Sequence, residues 1–396
     1  MASVSKSPNL ALNSNQLRVV ITLWLVYALY YVGRVNLSPA LASLAESLNV
    51  TRAEVGILGT AMFWAYAIGQ LINGELGNHI SPRKIIAVGF GTIAIVNLLF
   101  SAQTTLAPML VLWAINGFAQ STGWGPILRI LSEHLTVTQR TRVSMPFSLS
   151  YQFGTAFTWF LATLLVLSMG WQAALFVPGC IMVVALVLWL WFGADAPKST
   201  VEPQPFKWSD LWKDMAGAWR IMLVTGIIGI VYTSVSLWLP TYFADTGLFD
   251  SGFISVISSI MPLIGAAGML VAAWMIRRTN DPLSVLRTFV FGIMVAAGLA
   301  ALTTGAVQVL FIAFVVLAMG STSSMLTTTI PLMLASSGRA SSTAGTINAI
   351  NYFGGGLAGV LVGSLVESRV WSNVFGLWTL CAGVALLLMW GVKRRE

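Results

Sequence analysis

Apolar runs of about twenty residues recur along this chain, each closed by a short polar segment. That is the length a helix needs to cross the hydrocarbon core of a bilayer, roughly 20 residues. Runs of this kind fall near 18–43, 54–77, 84–101, 107–131, 143–168 and 172–194. A second set follows near 218–243, 252–275, 284–303, 306–333, 342–366 and 371–391. Between the sets lies the longest polar stretch, Asp195 to Asp214. The pattern predicts an all-α membrane protein of 12 transmembrane helices, with an N-terminal half at 1–194, a linker at 195–217 and a C-terminal half at 218–396.

Composition agrees. The chain is 57% hydrophobic and 9% charged, against about 25% charged in a soluble domain. The net charge of +8 does not mark a nucleic-acid binder, because its basic residues sit in small clusters between apolar runs rather than on a separate module. Arg83, Lys84, Arg140, Arg142, the linker lysines, Arg277, Arg278, Arg339 and Lys393 share one set of loops, while Arg52 and Arg369 occupy the alternate set. The positive-inside rule then places both termini and the linker in the cytoplasm of a multi-pass protein of the cell (inner) membrane. Met1 to Gln16 lacks the apolar core of a cleavable signal peptide. Cys180 and Cys381 each lie inside an apolar run and read as packing residues. No nucleophile, base and orienting group fall together on the spans, so neither an enzyme nor a cofactor or metal is implied.

Polar side chains divide the spans into two kinds. Tyr27, Tyr31, Arg34 and Ser38 share a helical spacing in span one, as do Tyr66, Gln70 and Asn73 in span two. Span four offers Asn116 and Gln120, and span five offers Tyr151 beside Gln152 and Thr155. The second half adds Tyr232 with Ser236, and Asn348 with Asn351 and Tyr352. Spans six and twelve are almost wholly apolar. Buried stripes of this sort imply a wet cavity lined by some helices and braced by others, although single small polar residues also serve helix packing.

Arg34 is the basic residue placed deep inside a span, where an arginine costs about 2.5–3.5 kcal/mol on insertion scales. The acids all fall toward the ends of the spans: Glu46, Glu54, Asp245, Asp250 and Glu367 on one side, the rest on the other. A midplane cation without a protein anion leaves room for an anionic ligand, which a planar guanidinium grips through two hydrogen bonds.

Several motifs resemble the organophosphate:phosphate antiporter family, typified by the bacterial glycerol-3-phosphate transporter, within the major facilitator superfamily. They are Tyr30-Tyr-Val-Gly-Arg-Val-Asn36, Asn116-Gly-Phe-Ala-Gln-Ser-Thr-Gly-Trp-Gly-Pro-Ile-Leu-Arg129, Ala344-Gly-Thr346 and Tyr352-Phe-Gly-Gly355. The resemblance implies two six-helix halves rocking around one central site. It also implies that Arg34 is the first-half anion ligand and that Tyr27, Tyr31, Tyr66 and Tyr352 line the cavity. The chain departs from the family at four places. Tyr232 stands where the family keeps a second arginine, Gln70 where it has a lysine, Tyr151 where it has a histidine, and Asn78 where the superfamily has an acid.

The reading that results is a secondary transporter, monomeric, for a small organic anion carrying one charge: a carboxylate, sulfonate or phosphodiester. Arg34 holds the anion. Tyr27, Tyr31, Tyr66, Gln70, Gln120, Tyr151, Gln152, Tyr232, Asn348, Asn351 and Tyr352 complete the expected site. The alternatives are a proton-coupled symporter, a drug exporter, or a transporter-like membrane sensor that binds ligand and signals to a partner.

Overall fold

The structure, a computed structural model, describes residues 12–195, 208–329 and 340–390. The linker from Pro197 to Lys207, the end of the tenth predicted run, Arg339 and the basic C-terminus lie outside the described residues, as does Lys6. The described helices are α1 (Ser14–Val32), α2 (Leu41–Leu48), α3 (Arg52–His79), α4 (Pro82–Ser101), α5 (Leu106–Gln120), α6 (Trp124–His134) and α7 (Val137–Met169). They continue with α8 (Ala173–Phe192), α9 (Trp208–Thr246), α10 (Ser251–Thr279), α11 (Pro282–Leu302), α12 (Gly305–Ser324), α13 (Ala340–Glu367) and α14 (Trp371–Trp390). No strand occurs among the described residues.

The helix starts are encoded locally. Asn13 with Gln16, Thr51 with Glu54 and Thr136 with Gln139 form capping boxes at α1, α3 and α7. Ser81-Pro82 opens α4, and Asp281-Pro282 opens α11 with the same kind of cap and the same proline at the first helical position. The two halves thus repeat a punctuation mark at equivalent places.

Ten of these helices are long and apolar enough to cross a membrane. The first and fourth predicted runs correct the expectation of continuous spans. α1 stops at Val32, and the chain continues through an irregular stretch before a short 3-10 turn at Ser38–Ala40 and α2. The fourth run is split into α5 and α6 by a turn at Ser121 to Gly123. There Ser121 and Thr122 turn their hydroxyls back onto the carbonyls of Phe118 and Ala119. Pro126, just inside α6, has no N–H to continue the ladder of α5.

Non-helical backbone at this depth survives only where protein groups satisfy it. The Asn116 amide donates to the Gly33 carbonyl at 2.9 Å and the Gln120 amide to the Tyr30 carbonyl at 3.1 Å. Asn36 donates to Asn97 at 2.8 Å and to the Ala174 carbonyl at 2.9 Å. Three neighbouring elements, α5, α4 and α8, therefore hold the break open. The polar stripe of span four supports α1 instead of lining a cavity.

The halves meet through α3 against α13 and α7 against α10. At the α3–α13 crossing, Gly56 and Gly359 face each other so closely that a methyl on either would strike the other's backbone carbonyl. Small residues allow such approach where lipid gives helices no hydrophobic reason to associate. Beyond that crossing, at the end remote from the linker, Arg52 of α3 makes a two-pronged ion pair with Asp245 of α9. Its own N–H donates to Glu367 of α13, and the Trp371 indole donates to Asp245 at 3.2 Å. Ser38 donates to the Leu237 carbonyl at 2.7 Å across the same divide. This end is shut.

Removing one member of a buried ion pair strands the other charge and costs about 3 kcal/mol or more. Asp245→Asn should therefore depopulate the closed end by tenfold or more. Spin labels at the exposed positions Ser47 and Leu248, one on each half, should report longer distances by pulsed electron resonance. An unchanged distance distribution would show that the pair does not hold this end.

Candidate functional site

A cavity of about 630 Å³, counting its open mouth, lies between the halves. The first half contributes Tyr31, Arg34 and Val35 from α1 and its break, Phe63 from α3, and Gln152, Thr155 and Trp159 from one face of α7. The second half contributes Tyr232, Val235, Ser236 and Leu239 from α9, Met261, Pro262 and Gly265 from α10, Val316, Met319 and Gly320 from α12, and Tyr352 from α13.

Arg34 is placed by the break in α1. It follows Gly33, whose added methyl would collide with Ile93, so the chain turns tightly against α4 here. The side chain is 7% exposed. Among the described residues no carboxylate pairs with it; Asp245 is taken by Arg52, and Glu46 lies by Arg369. Three tyrosine rings surround the guanidinium instead, with centroids at 4.3 Å for Tyr66, 5.1 Å for Tyr352 and 5.2 Å for Tyr31. Cation–π contacts are worth about 0.5–1 kcal/mol when exposed and about 2 when desolvated. The cage thus steadies a buried cation without neutralising it, and the charge stays available to an anion.

The expected site residues separate into three groups. Arg34, Tyr31, Gln152, Tyr232 and Tyr352 line the cavity from both halves. Tyr66, Gln70, Tyr27 and Tyr151 stand one layer back. The Gln70 amide donates to the Tyr66 hydroxyl, which fixes that ring against Arg34 and Tyr352. Tyr27 packs edge-on to Tyr31 at 5.6 Å and against Trp124 at 5.0 Å. The Tyr151 hydroxyl donates to the Met269 sulfur at 3.4 Å across the α7–α10 contact.

Gln120, Asn348 and Asn351 lie away from the cavity wall. Gln120 is committed to the broken backbone of α1. Asn351 packs its backbone and amide against Gly229 of α9, and Asn348 is half-buried elsewhere on α13. The side chain of Asn78 falls outside the described set. Polar stripes did not point to the apolar liners Phe63, Trp159, Leu239, Met261 and Met319. For Trp159 a signal was present, since it follows Gln152 and Thr155 at i+7 and i+4 on the same face.

Comparison with known proteins agrees with this architecture. The family model described as Major Facilitator Superfamily matches residues 23–359, and the chain belongs to that superfamily. Its members are transporters rather than enzymes, and the chain is a multi-pass membrane protein of that class. The chain is 23% identical to the "Membrane sensor protein UhpC" of Escherichia coli, over 94% of its own length and 90% of that protein. It is 23% identical to the "Probable hexose phosphate transport protein" of Chlamydia trachomatis, over 66% of this chain and 64% of that one. The "Glycerol-3-phosphate transporter" of Bacillus subtilis is 27% identical over 46% of this chain and 42% of its own. The resemblance to organophosphate:phosphate antiporters therefore extends beyond the motifs. Among solved structures, a point mutant of the nucleoside transporter NupG superposes with a TM-score of 0.74 at 16% identity, covering 94% of this chain and 98% of that one. The D-xylose-proton symporter superposes with a TM-score of 0.74 at 14% identity, covering 96% and 98%.

Proposed function

We propose that the protein is a secondary transporter for a small organic anion of one negative charge, worked by alternating access. The halves at 1–194 and 218–396 rock about the cavity, joined by a cytoplasmic linker at 195–217 in the cell (inner) membrane. The observation that carries this reading is Arg34: buried, facing the cavity, and without an ion pair among the described residues. The relatives named for hexose phosphate and glycerol 3-phosphate supply the precedent of an anionic solute. What turns the reading toward a monoanion is Tyr232 in the second-half wall, where the resembled family keeps an arginine. Tyr31, Tyr352 and Gln152 offer the remaining polar contacts. The decisive experiment is uptake into proteoliposomes of whichever organic anion stabilises the purified protein most in a thermal-shift screen.

A second reading is a sensor that binds the same class of ligand and signals to a partner, favoured by the near full-length match to a protein named as a membrane sensor. Saturable binding with no flux in proteoliposomes would decide for it.

No Asp, Glu or His stands among the described cavity-lining residues. A coupling proton needs a titratable group at the site, so the transporter should run as an exchanger, as facilitated flux, or on membrane potential. With a pH-sensitive dye enclosed in the vesicles, solute addition should leave the signal flat. Solute-induced alkalinisation that persists after replacing both His79 and His134 would instead assign proton coupling to a carboxylate.

A further inference from the structure

The cavity is polar at one place and apolar over much of the rest. Arg34 and the tyrosines around it form the polar place. Phe63 and Trp159 from the first half face Leu239, Met261 and Met319 from the second. Two of the other polar liners already carry an internal hydrogen bond. The Thr155 hydroxyl donates to the Tyr151 carbonyl at 2.7 Å, and the Gln152 amide leans on the Tyr151 hydroxyl at 3.4 Å. The Ser236 carbonyl accepts from Ser38 at 2.9 Å, so the Ser236 and Tyr232 hydroxyls are the polar groups left on the second-half wall away from Arg34.

A polyhydroxylated solute needs a partner for each hydroxyl it buries. A hydroxyl buried without one costs about 1–3 kcal/mol on protein scales. This wall has few groups to give, whereas an apolar body gains from every contact it makes there. Methionines on the second-half side suit such a body, because a flexible thioether fills irregular gaps and packs well on aromatic rings. One unmatched donor also stands in the wall. Trp159 is 2% exposed, and its indole N–H has no hydrogen-bond partner among the described residues.

We infer that the solute is an amphipathic monoanion: its charged head sits on Arg34, and a compact apolar body, aromatic or branched aliphatic, lies between Trp159 and the pair Met261 and Met319. This rests on the reading of Arg34 as the anion ligand and adds what the remainder of the solute is. Trp159 serves as the apolar wall on the first-half side. The class separates this protein from its sugar-phosphate relatives by the solute's body as well as by its charge.

The test is a binding series on the purified full-length protein, with four probes. Phenylacetate has the head and the body. Gluconate keeps the head and replaces the body with hydroxyls. Glycerol 3-phosphate brings the second charge, and 2-phenylethanol keeps the body without a charge. Phenylacetate should bind at least tenfold tighter than each of the others. Met261→Gln with Met319→Gln should weaken phenylacetate about tenfold and tighten gluconate, whose hydroxyls gain amide partners, while Trp159→Phe should keep most of the phenylacetate affinity. Gluconate binding as well as phenylacetate overturns the apolar body and leaves Arg34 as anion ligand intact. 2-Phenylethanol binding as well as phenylacetate, with Arg34→Gln making no difference, overturns the anion reading itself. Failure of all three anions to bind overturns both.

Discussion

Arg34→Ala should abolish solute binding and flux while the protein still inserts and purifies as a folded monodisperse species. The guanidinium is held between three tyrosine faces and has no ion pair among the described residues, so its removal breaks no salt bridge described in the fold. It does remove the countercharge for a desolvated anion. Truncating one partner of a buried, hydrogen-bonded charge pair costs about 2–5 kcal/mol. The affinity for the best monoanion of a screen should fall at least a hundredfold, about 2.8 kcal/mol. Arg34→Lys should recover little of it, because an ammonium neither forms two parallel hydrogen bonds nor lays a flat face on the rings. Equilibrium binding with each variant measures the loss. Unchanged affinity in Arg34→Ala would remove the basis of the proposed function.

The second large effect concerns charge selectivity. One guanidinium balances about one negative charge, whereas a phosphate monoester near neutral pH carries about −1.5 to −2. The excess would sit in a partly desolvated cavity, where unpaired charge is costly. Tyr232 lies in the second-half wall of that cavity. Tyr232→Arg should move preference toward dianions by tenfold or more, about 1.4 kcal/mol, and should weaken the monoanion, since two cations then repel across a cavity with one charge to share. Adding Gln70→Lys should act less directly. Gln70 reaches the site through the Tyr66 hydroxyl and does not line the cavity. Competition between matched mono- and dianionic analogues reads both variants. A wild-type protein that already favours the dianion tenfold would mean that another cation completes the site.

Much of the architecture was legible in the sequence, because lipid imposes a length and composition that no other environment does. The caps that start the helices, down to the repeated Ser81-Pro82 and Asp281-Pro282, stand in the sequence, but a hydropathy pattern does not use them. The break in α1 was hidden. Gly33 and Arg34 sit in an apolar run that looks continuous, and the amides that stabilise the break, Asn97, Asn116 and Gln120, lie far along the chain on other helices. Periodicity says which residues share a face, not which neighbour that face meets. Asn116 and Gln120 therefore looked like cavity residues when they carry backbone. The charge accounting around Arg34 needed no such knowledge of neighbours, because it rested on where acids are absent. The apolar liners were out of reach for a different reason: a leucine or methionine facing a cavity and one facing lipid have the same composition.

The close crossing of Gly56 and Gly359 bears on how the halves separate. Most interfaces are sealed by interlocked side chains, and parting them releases rotamers that must be ordered again on closing. Here backbone lies on backbone, with almost no side-chain entropy to gain or lose at the point of nearest approach. What must be released along these two helices is a few hydrogen bonds, from Thr60 and Trp64 to the Gly356 and Phe353 carbonyls and from the Arg52 N–H to Glu367. Opening then resembles lifting a latch, with the ion pair of Arg52 and Asp245 as the catch, more than it resembles melting a seal.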